Sequence, residues 1–264
     1  MGILRGKVAV VTGGSRGLGR HFVEALAAAG ARVGCLARTS DELYAFAATY
    51  KDQVLALPCD VTSSDSVDRA IAAVIERFGQ LDILINNAAI FRPFLLEEAS
   101  DDEVEAHVAV NLLGPIRCTR TAIPLLRRSK GQIVFVSSES VRMPFPLLTV
   151  YAATKAGIET LAAGLRDELR DDGIRVTVLR SGSVAGTTGH IGWDPATAER
   201  FFATIRRSGH AAFTGTAADP RSMAEALLAV LGLPPDVNID LIEARGAHPV
   251  PAAYNSPAVI EELA

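Results

Sequence analysis

Short apolar runs alternate with longer amphipathic stretches along most of the chain. The runs are apolar at consecutive positions, which is typical of strands covered on both faces, as in a parallel sheet. Seven runs are predicted to be strands: Val8–Val11, Arg32–Leu36, Val54–Leu57, Leu81–Ile85, Gln132–Val136, Ile174–Leu179 and Asn238–Ile242. The helical periodicity between them predicts a doubly wound α/β fold, with a seven-stranded parallel sheet and helices on both of its faces.

Capping residues indicate where several helices begin and end. Helical patterns cover about Leu18 to Ala29 and about Ser64 to Phe78, and Ser40 precedes a further helix. Ser100 and Glu103 form a capping box that predicts one long helix ending before Gly131. Asp219 and Pro220 are typical of a late helix start.

One segment, 183–215, has few such signals and is predicted to include a mobile lid. The chain shows no repeat and no convincing linker. We therefore expect a single domain over 1–264, with a cofactor half at about 1–130 and a catalytic and substrate half at about 131–264.

Composition narrows the class of protein. The 264 residues carry a net charge of -4 and no basic stripe, so no nucleic-acid partner is predicted. No apolar run approaches the ~20 residues of a membrane span, and the first residues lack a signal-peptide pattern, so a cytoplasmic protein is expected. The three cysteines lie in apolar stretches and the five histidines form no ligand-spaced pair, so no metal site is predicted.

Tyr151 and Lys155 are four residues apart, which places both side chains on one face of a helix. A free phenol has a pKa of ~10, and a neighbouring ammonium group lowers it by favouring the phenolate. Ser138 comes at the end of the fifth predicted strand, so its hydroxyl can join the tyrosine. The three groups could protonate a carbonyl oxygen while a hydride arrives at its carbon. Taken alone, the pair is more often a core tyrosine and a solvated lysine on an amphipathic helix.

A glycine-rich loop between the first strand and the first helix predicts a dinucleotide site. Glycines in such a loop let the backbone approach a diphosphate, and the helix N-terminus supplies free N–H groups and a positive dipole end. The predicted contacts are Gly13, Ser15, Arg16, Gly17, Leu18 and Gly19.

The end of the second strand bears on the choice of cofactor. An NAD site would place an acid near this point to bind the ribose 2′-hydroxyl, but the chain has Ala37 and then Arg38. Arg38 and Arg16 could pair with a 2′-phosphate, so NADP is favoured over NAD. Asp60, followed by Val61, ends the third strand and could meet the adenine or could cap a helix.

These motifs together resemble the short-chain dehydrogenase/reductase family, of the short single-domain Rossmann type, over nearly the whole chain. The resemblance rests on the order and spacing of Thr12, Gly13, Gly17, Gly19, Asp60, Asn86, Asn87, Ala88, Asn111, Ser138, Tyr151 and Lys155. It implies that Tyr151 is the general acid/base, and that Lys155 lowers its pKa and binds the nicotinamide ribose. It also implies that Ser138 orients the substrate oxygen, and that Asn111 holds a water in the proton relay. Asn87, Ala88 and Val184 are implied cofactor contacts. From the sequence itself, Asn111 could equally be a kink or cap in a long helix.

The chain departs from the family pattern at the nicotinamide end. Ala89 replaces the usual glycine, and Ser181 with Gly182 replaces a Pro-Gly. The expected threonine is displaced to Thr187. Loss of the proline frees the loop that covers the nicotinamide carboxamide, from which Val184 and Thr187 would make contacts. None of these changes touches the proton-transfer residues.

The substrate is expected beyond the carboxyl ends of the strands. The residues predicted to line the substrate pocket, beside Ser138, are Phe91, Met143, Phe145 and Trp193. An apolar pocket of this kind suggests a small-molecule ketone or secondary alcohol. Two other functions remain open: a non-catalytic NAD(P)-binding regulatory or scaffold protein, and an epimerase or dehydratase relative. The resemblance also implies a homodimer or homotetramer, with Ala162, Ala163 and Gly164 allowing close helix approach.

Overall fold

The sheet organises the fold in the computed structural model, which describes residues 2–186 and 193–247. Its strands are β1 (Val8–Thr12), β2 (Arg32–Ala37), β3 (Val54–Pro58), β4 (Ile83–Asn86), β5 (Gln132–Ser138), β6 (Arg175–Ser181) and β7 (Leu241–Ala244). They are parallel and follow the order β3-β2-β1-β4-β5-β6-β7. The predicted seven-stranded, doubly wound α/β fold is confirmed.

Nine helices connect and flank the strands in the described part of the chain. They are α1 (Gly17–Ala28), α2 (Asp41–Ala48), α3 (Ser64–Phe78), α4 (Asp101–Val108), α5 (Gly114–Ser129), α6 (Thr149–Glu168), α7 (Pro195–Arg207), α8 (His210–Thr214) and α9 (Pro220–Leu231). Polar side chains begin several of them: Ser40, Ser63, Ser100, Asp194 and Asp219 each accept a hydrogen bond from a first-turn amide.

Two apolar cores cover the two faces of the sheet. Val8 and Val10 of β1 belong to the core that α3, α5 and α6 close, whereas Ala9 and Val11 belong to the core beneath α1 and α9. Successive strand residues point to opposite faces, so a run that is apolar throughout serves both cores. This explains why continuous apolar runs marked the strands correctly.

The order of the strands places the site. The chain crosses over between β1 and β4, which are neighbours in the sheet, and in α/β sheets ligands bind outside the carboxyl ends of strands at such a point. The glycine loop follows β1, Asn87 follows β4, and Ser138 ends β5. All three therefore lie at one edge of the sheet.

The prediction of one continuous long helix after Ser100 is wrong. A π-helical turn at Ala109–Leu113 separates α4 from α5. Such turns place one extra residue in a helix and occur often at functional sites.

The prediction that residues 183–215 form few regular elements is also wrong. Two helices, α7 and α8, lie within it, and Asp194 with Pro195 begins the first of them. The residues 187–192, which include Thr187, lie outside the described part, so the lid stays a prediction.

Two strand boundaries are shifted. β4 begins at Ile83 and not at Leu81; the Asp82 amide donates to the Val8 carbonyl at 2.8 Å, and the Asp82 carboxylate accepts from the Val8 amide at 2.9 Å. β7 begins at Leu241 and not at Asn238, since Asn238 Oδ1 accepts from the Val176 amide at 3.1 Å.

Ala162 does not offer a surface for helix approach between subunits. It is fully buried in the core beneath α6, whereas Ala163 and Gly164 are exposed. The homo-oligomer stays a prediction. Among the described helices, none has the length and apolar character needed to cross a membrane.

Candidate active site

The glycine loop is held by hydrogen bonds between β1 and the segment after β4. Thr12 Oγ1 accepts from the backbone amides of Asn87 and Ala88, each at 3.0 Å. Asn87 Nδ2 donates to the carbonyls of Thr12 at 2.9 Å and Gly13 at 3.2 Å. Gly13 has a φ of +66°, which side-chain-bearing residues rarely adopt. Asn87 therefore fixes the loop, and the predicted residues Gly13, Asn87 and Ala88 lie together.

The first turn of α1 fits a diphosphate by the chemistry of its donors. The amides of Gly17, Leu18 and Gly19 have no partner within the helix, as in any first turn. Arg16 occupies the N-cap without a capping side-chain bond, and no acidic residue lies in the first turn. A Cβ at position 19 would lie 2.2 Å from the Gly13 carbonyl oxygen, so only glycine permits this turn. Free N–H groups, a positive helix end and Arg16 together suit an anionic ligand.

Arg38 lies just beyond β2, exposed and within electrostatic reach of Asp60. Hydrogen bonds from the Thr62 amide and hydroxyl lower the pKa of Asp60 most, and Arg38 adds to this effect. Asp60 is not a helix cap, because Ser63 caps α3. The Val61 side chain faces the core, so only its main chain could meet a cofactor.

Ser138, Tyr151 and Lys155 meet at the end of β5. Ser138 is the last residue of that strand, and its Oγ accepts from the Ser140 amide at 3.2 Å. Its hydroxyl also lies near Tyr151, in the first turn of α6, and lowers the pKa of that phenol. Lys155 follows one turn later and is 3% exposed, with its Nζ 5.6 Å from the centre of the Tyr151 ring. The structure brings together the three residues that the sequence singled out.

The electrostatics of this group differ from the expectation. The pKa of Tyr151 is raised to about 12: burial raises it most, the Ser138 hydroxyl lowers it, and the charge of Glu139 adds a smaller increase. Burial lowers the pKa of Lys155 to about 8. Lys155 Nζ donates to the Val136 carbonyl at 2.8 Å. The lowering of the tyrosine pKa by Lys155 is not seen here, because the burial of both groups is the larger effect.

Asn111 lies in the π-helical turn and is completely buried. Its Oδ1 accepts from the Ile90 amide at 2.8 Å, and its Nδ2 donates to the Ile90 carbonyl at 2.9 Å and to Thr154 Oγ1 at 3.3 Å. The kink predicted as an alternative is real. The side chain also ties the segment after β4 to α6, and a role in holding water stays a prediction.

His107 is a positioning residue that the sequence reasoning missed. It is fully buried one turn before Asn111, where Nδ1 bonds the Glu103 carbonyl at 2.8 Å and Nε2 accepts from the Arg92 amide at 3.4 Å. Burial lowers the pKa of His107, which favours the neutral ring. Asn111 and His107 thus hold the residues on either side of Phe91. Their i, i+4 spacing was the available signal.

A cluster of aromatic side chains packs beside Tyr151. The Phe91 ring meets the Tyr151 ring edge-on at 5.1 Å and packs on Trp193 at 5.1 Å. Trp193 Nε1 donates to the Phe91 carbonyl at 2.9 Å, and Phe201, which was not predicted, completes the group. Phe145 belongs to the same apolar cluster. Met143 is the exception, since it lies outside this cluster.

Two other features complete the geometry of the site. Val184 lies just after β6 and bridges to Ala218, so it stands at the expected edge of the sheet. No cluster of three or more histidine, cysteine or acidic side chains within 2–186 and 193–247 could hold a metal ion.

Comparisons with known proteins agree with this geometry. The family model described as short chain dehydrogenase matches residues 7–194. An 11-beta-hydroxysteroid dehydrogenase-like protein of Arabidopsis thaliana is 37% identical over 184 residues, which are 68% of this chain and 59% of that protein. The described fold resembles an alcohol dehydrogenase of Thermococcus sibiricus complexed with 5-hydroxy-NADP, with a TM-score of 0.78, 29% identity and coverage of 93% and 98% of the two chains.

A second solved structure gives the same result with the other nicotinamide cofactor. The 3-ketoacyl-(acyl-carrier-protein) reductase of Brucella melitensis, complexed with NADH, aligns with a TM-score of 0.79 and 28% identity, over 92% of this chain and 98% of that one. The chain belongs to the short-chain dehydrogenase family and is a nicotinamide-dependent oxidoreductase.

Proposed function

We propose that the protein is an NADP(H)-dependent oxidoreductase that transfers a hydride between the nicotinamide and a ketone or secondary alcohol. The observation that carries this proposal is the meeting of Ser138, Tyr151 and Lys155 at the end of β5. They lie at the same sheet edge as the glycine loop after β1. A carbonyl compound placed at this edge would have a proton donor on one side and the cofactor on the other.

The residues have distinct roles in the proposed reaction. The bound cofactor supplies or accepts the hydride. Ser138 orients the substrate oxygen, and Tyr151 Oη donates the proton to it during reduction. Because burial raises the pKa of Tyr151 to about 12, the phenol is protonated at neutral pH, which suits the reduction of a carbonyl group. Lys155, whose Nζ donates to the Val136 carbonyl, would bind the nicotinamide ribose.

The preference for NADP is supported by charge at the end of β2. Arg38 and Arg16 are both exposed cations beside the loop, and Ala37 supplies no acid for a ribose 2′-hydroxyl. An arginine that pairs with a 2′-phosphate contributes only when that phosphate is present. The charges therefore favour NADPH over NADH.

A panel of ketones and secondary alcohols, assayed by absorbance with NADPH and with NADH, tests this proposal. We expect turnover of some ketone and a higher kcat/KM for NADPH. Arg38→Ala should reduce the NADPH-to-NADH ratio about 10-fold, whereas Arg128→Ala, which removes an exposed arginine near the end of α5, should leave it unchanged. Binding of either cofactor without turnover of any compound would instead support a non-catalytic binding protein.

A further inference from the structure

Three polar side chains form a row across the sheet near the carboxyl ends of β5, β6 and β7. Ser137 pairs with Arg180, and Arg180 pairs with Glu243, so the three residues lie side by side. Two residues earlier, on the same face, the row is apolar and consists of Phe135, Val178 and Leu241. One residue later, the next row begins with Ser138. The polar row therefore directly precedes the row that contributes to the reacting end of the site.

Glu159 of α6 binds two members of this row. Its Oε1 accepts from Ser137 Oγ at 2.6 Å and from Arg180 Nε at 3.0 Å, and its Oε2 accepts from Arg180 Nη2 at 2.6 Å. Arg180 Nη1 donates to Glu243 Oε2 at 2.9 Å. The guanidinium and the Glu159 carboxylate thus form a bidentate pair, which fixes both the distance and the angle between the two groups.

Glu159 lies on the side of α6 that carries Tyr151 and Lys155. It follows Lys155 by one turn of the helix and Tyr151 by two. Lys155 Nζ donates to the Val136 carbonyl, and Glu159 binds the next residue of β5, Ser137. Two neighbouring bonds therefore join α6 to the end of β5, just before Ser138. The position of the Ser138 hydroxyl relative to Tyr151 depends on this junction.

The burial of the ion pair indicates that it serves geometry more than stability. The side chains of Arg180 and Glu159 are 14% and 16% exposed. The cost of removing two charges from water offsets most of their attraction, and apolar side chains of similar volume often stabilise a protein as well. A bidentate pair differs from apolar packing because it permits only one register between the helix and the sheet.

We propose that Glu159 and Arg180 are positioning residues for the reaction, which hold α6 against the ends of β5 and β6. By this contact they keep the Tyr151 hydroxyl beside the substrate oxygen that Ser138 orients. The inference rests on the proposed function and adds two residues that act through Ser138 and Tyr151. A displacement of about 1 Å between reacting groups can lower a rate about 100-fold, so a contact outside the reacting group can govern the rate.

The double variant Glu159→Leu/Arg180→Leu separates positioning from stability. Because apolar side chains can replace a buried ion pair, we expect this variant to unfold at a denaturant concentration close to that of the wild type. Its kcat for NADPH oxidation with the best ketone should fall at least about 10-fold, since small displacements of reacting groups have large effects. The dissociation constant for NADPH should stay close to that of the wild type, because both residues lie outside the glycine loop.

The solvent isotope effect adds a readout that a loss of folded enzyme would not change. When the proton donor is displaced, proton transfer limits the rate more strongly. The ratio of kcat in ordinary water to kcat in deuterated water should therefore be larger in the double variant than in the wild type. Ser137→Ala removes one bond to Glu159 and leaves the ion pair, so it should show the same changes to a smaller extent.

Arg127→Gln/Asp172→Asn is the matched control, because it removes an ion pair of 2.7 Å beside the amino ends of β5 and β6. It should leave kcat and the isotope ratio unchanged, and an equal loss of kcat in this control would overturn the inference. A folded Glu159→Leu/Arg180→Leu variant with a kcat within about twofold of the wild type, or with an unchanged isotope ratio, would also overturn it. If that variant does not fold, wild-type kinetics in Ser137→Ala would have the same consequence. These results leave the proposed function intact, whereas the absence of turnover by the wild type with every ketone overturns both.

Discussion

The two ends of the active site are held together by different forces. At the cofactor end, the loop Thr12–Gly19 is fixed by four hydrogen bonds from Asn87 and Ala88, at 2.9 to 3.2 Å. At the substrate end, the Phe91 ring packs on Tyr151 and on Trp193 at centroid distances of 5.1 Å, and the Trp193 indole donates one hydrogen bond to the Phe91 carbonyl. The first end depends on directional bonds and the second on packed apolar volume.

This difference decides how each end tolerates substitution. A hydrogen bond to a fixed carbonyl requires one donor at one place, and a glycine with positive φ has no substitute of equal freedom. Packed rings accept other apolar side chains of similar size at a small cost. The cofactor end should therefore fail abruptly when altered, and the substrate end should change its preference by degrees.

The largest effect is expected from Gly19→Ala. The added Cβ would lie 2.2 Å from the Gly13 carbonyl oxygen and 2.5 Å from Asn87 Nδ2, so the loop must move. We expect the dissociation constant for NADPH, measured by fluorescence titration, to rise at least about 100-fold, because the loss of well-placed donors to a charged ligand costs several kcal/mol.

Gly164→Ala is the matched control for that change. Gly164 also lies in a helix, but a Cβ there would meet nothing within 4 Å. Alanine is favoured over glycine in a helix by roughly 0.5–1 kcal/mol, so this variant should unfold at a slightly higher denaturant concentration and bind NADPH normally. Equal NADPH affinity in both variants would contradict the account of the loop.

An intermediate effect is expected from Lys155→Met, because the buried ammonium group destabilises the fold. The folded pKa of about 8 lies below the ordinary value of 10.5. At any pH between these two values the unfolded chain binds more protons, so the free energy of unfolding of the wild type rises with pH across that window. Removal of the group should stabilise the protein at pH 7, and this advantage should shrink by on the order of 2 kcal/mol by pH 9.5.

Denaturant unfolding of both proteins at pH 7, 8, 9 and 9.5 measures this difference. Other groups titrate equally in the two proteins and cancel in the comparison. A difference in unfolding free energy that is constant over this pH range would show that Lys155 is not held in a shielded environment.

The smallest effect is expected at the substrate end, from Phe91→Ala. The Phe91 ring packs against both Tyr151 and Trp193, so its removal opens the apolar wall. We expect KM for a bulky apolar ketone to rise about 10-fold, as for the loss of a few buried methylene groups. The dissociation constant for NADPH should stay within twofold of the wild type, because Phe91 makes no bond to the glycine loop. A loss of NADPH binding as large as the rise in KM would contradict the proposed difference between the two ends of the site.

The sequence predicted the glycine loop and the elements that flank it because their signals are local. The glycine spacing, the strand before it and the helix after it are adjacent in the chain, and continuous apolar runs specify strands that serve two cores. The pair Tyr151 and Lys155 was found for the same reason, since i, i+4 spacing on a helix determines proximity directly, and Ser138 was found because it ends an apolar strand.

The features that the sequence did not predict depend on contacts between residues that are far apart in the chain. Asp194 and Pro195 begin α7 with the same pattern by which Asp219 and Pro220 begin α9, but few other helix signals accompany the first pair in the sequence. The π-helical turn at Asn111 follows from its bonds to Ile90, 21 residues away.

The central claim is that the Tyr151 hydroxyl transfers the proton while the cofactor site functions independently of it. Tyr151→Phe removes one oxygen atom and keeps the ring that packs on Phe91. The direct measurement is the rate of NADPH oxidation with the best ketone of the panel, together with the dissociation constant for NADPH. The account predicts a kcat at least about 100-fold lower, as for the loss of a general acid, with an NADPH dissociation constant within threefold of the wild type. A kcat close to that of the wild type would contradict it.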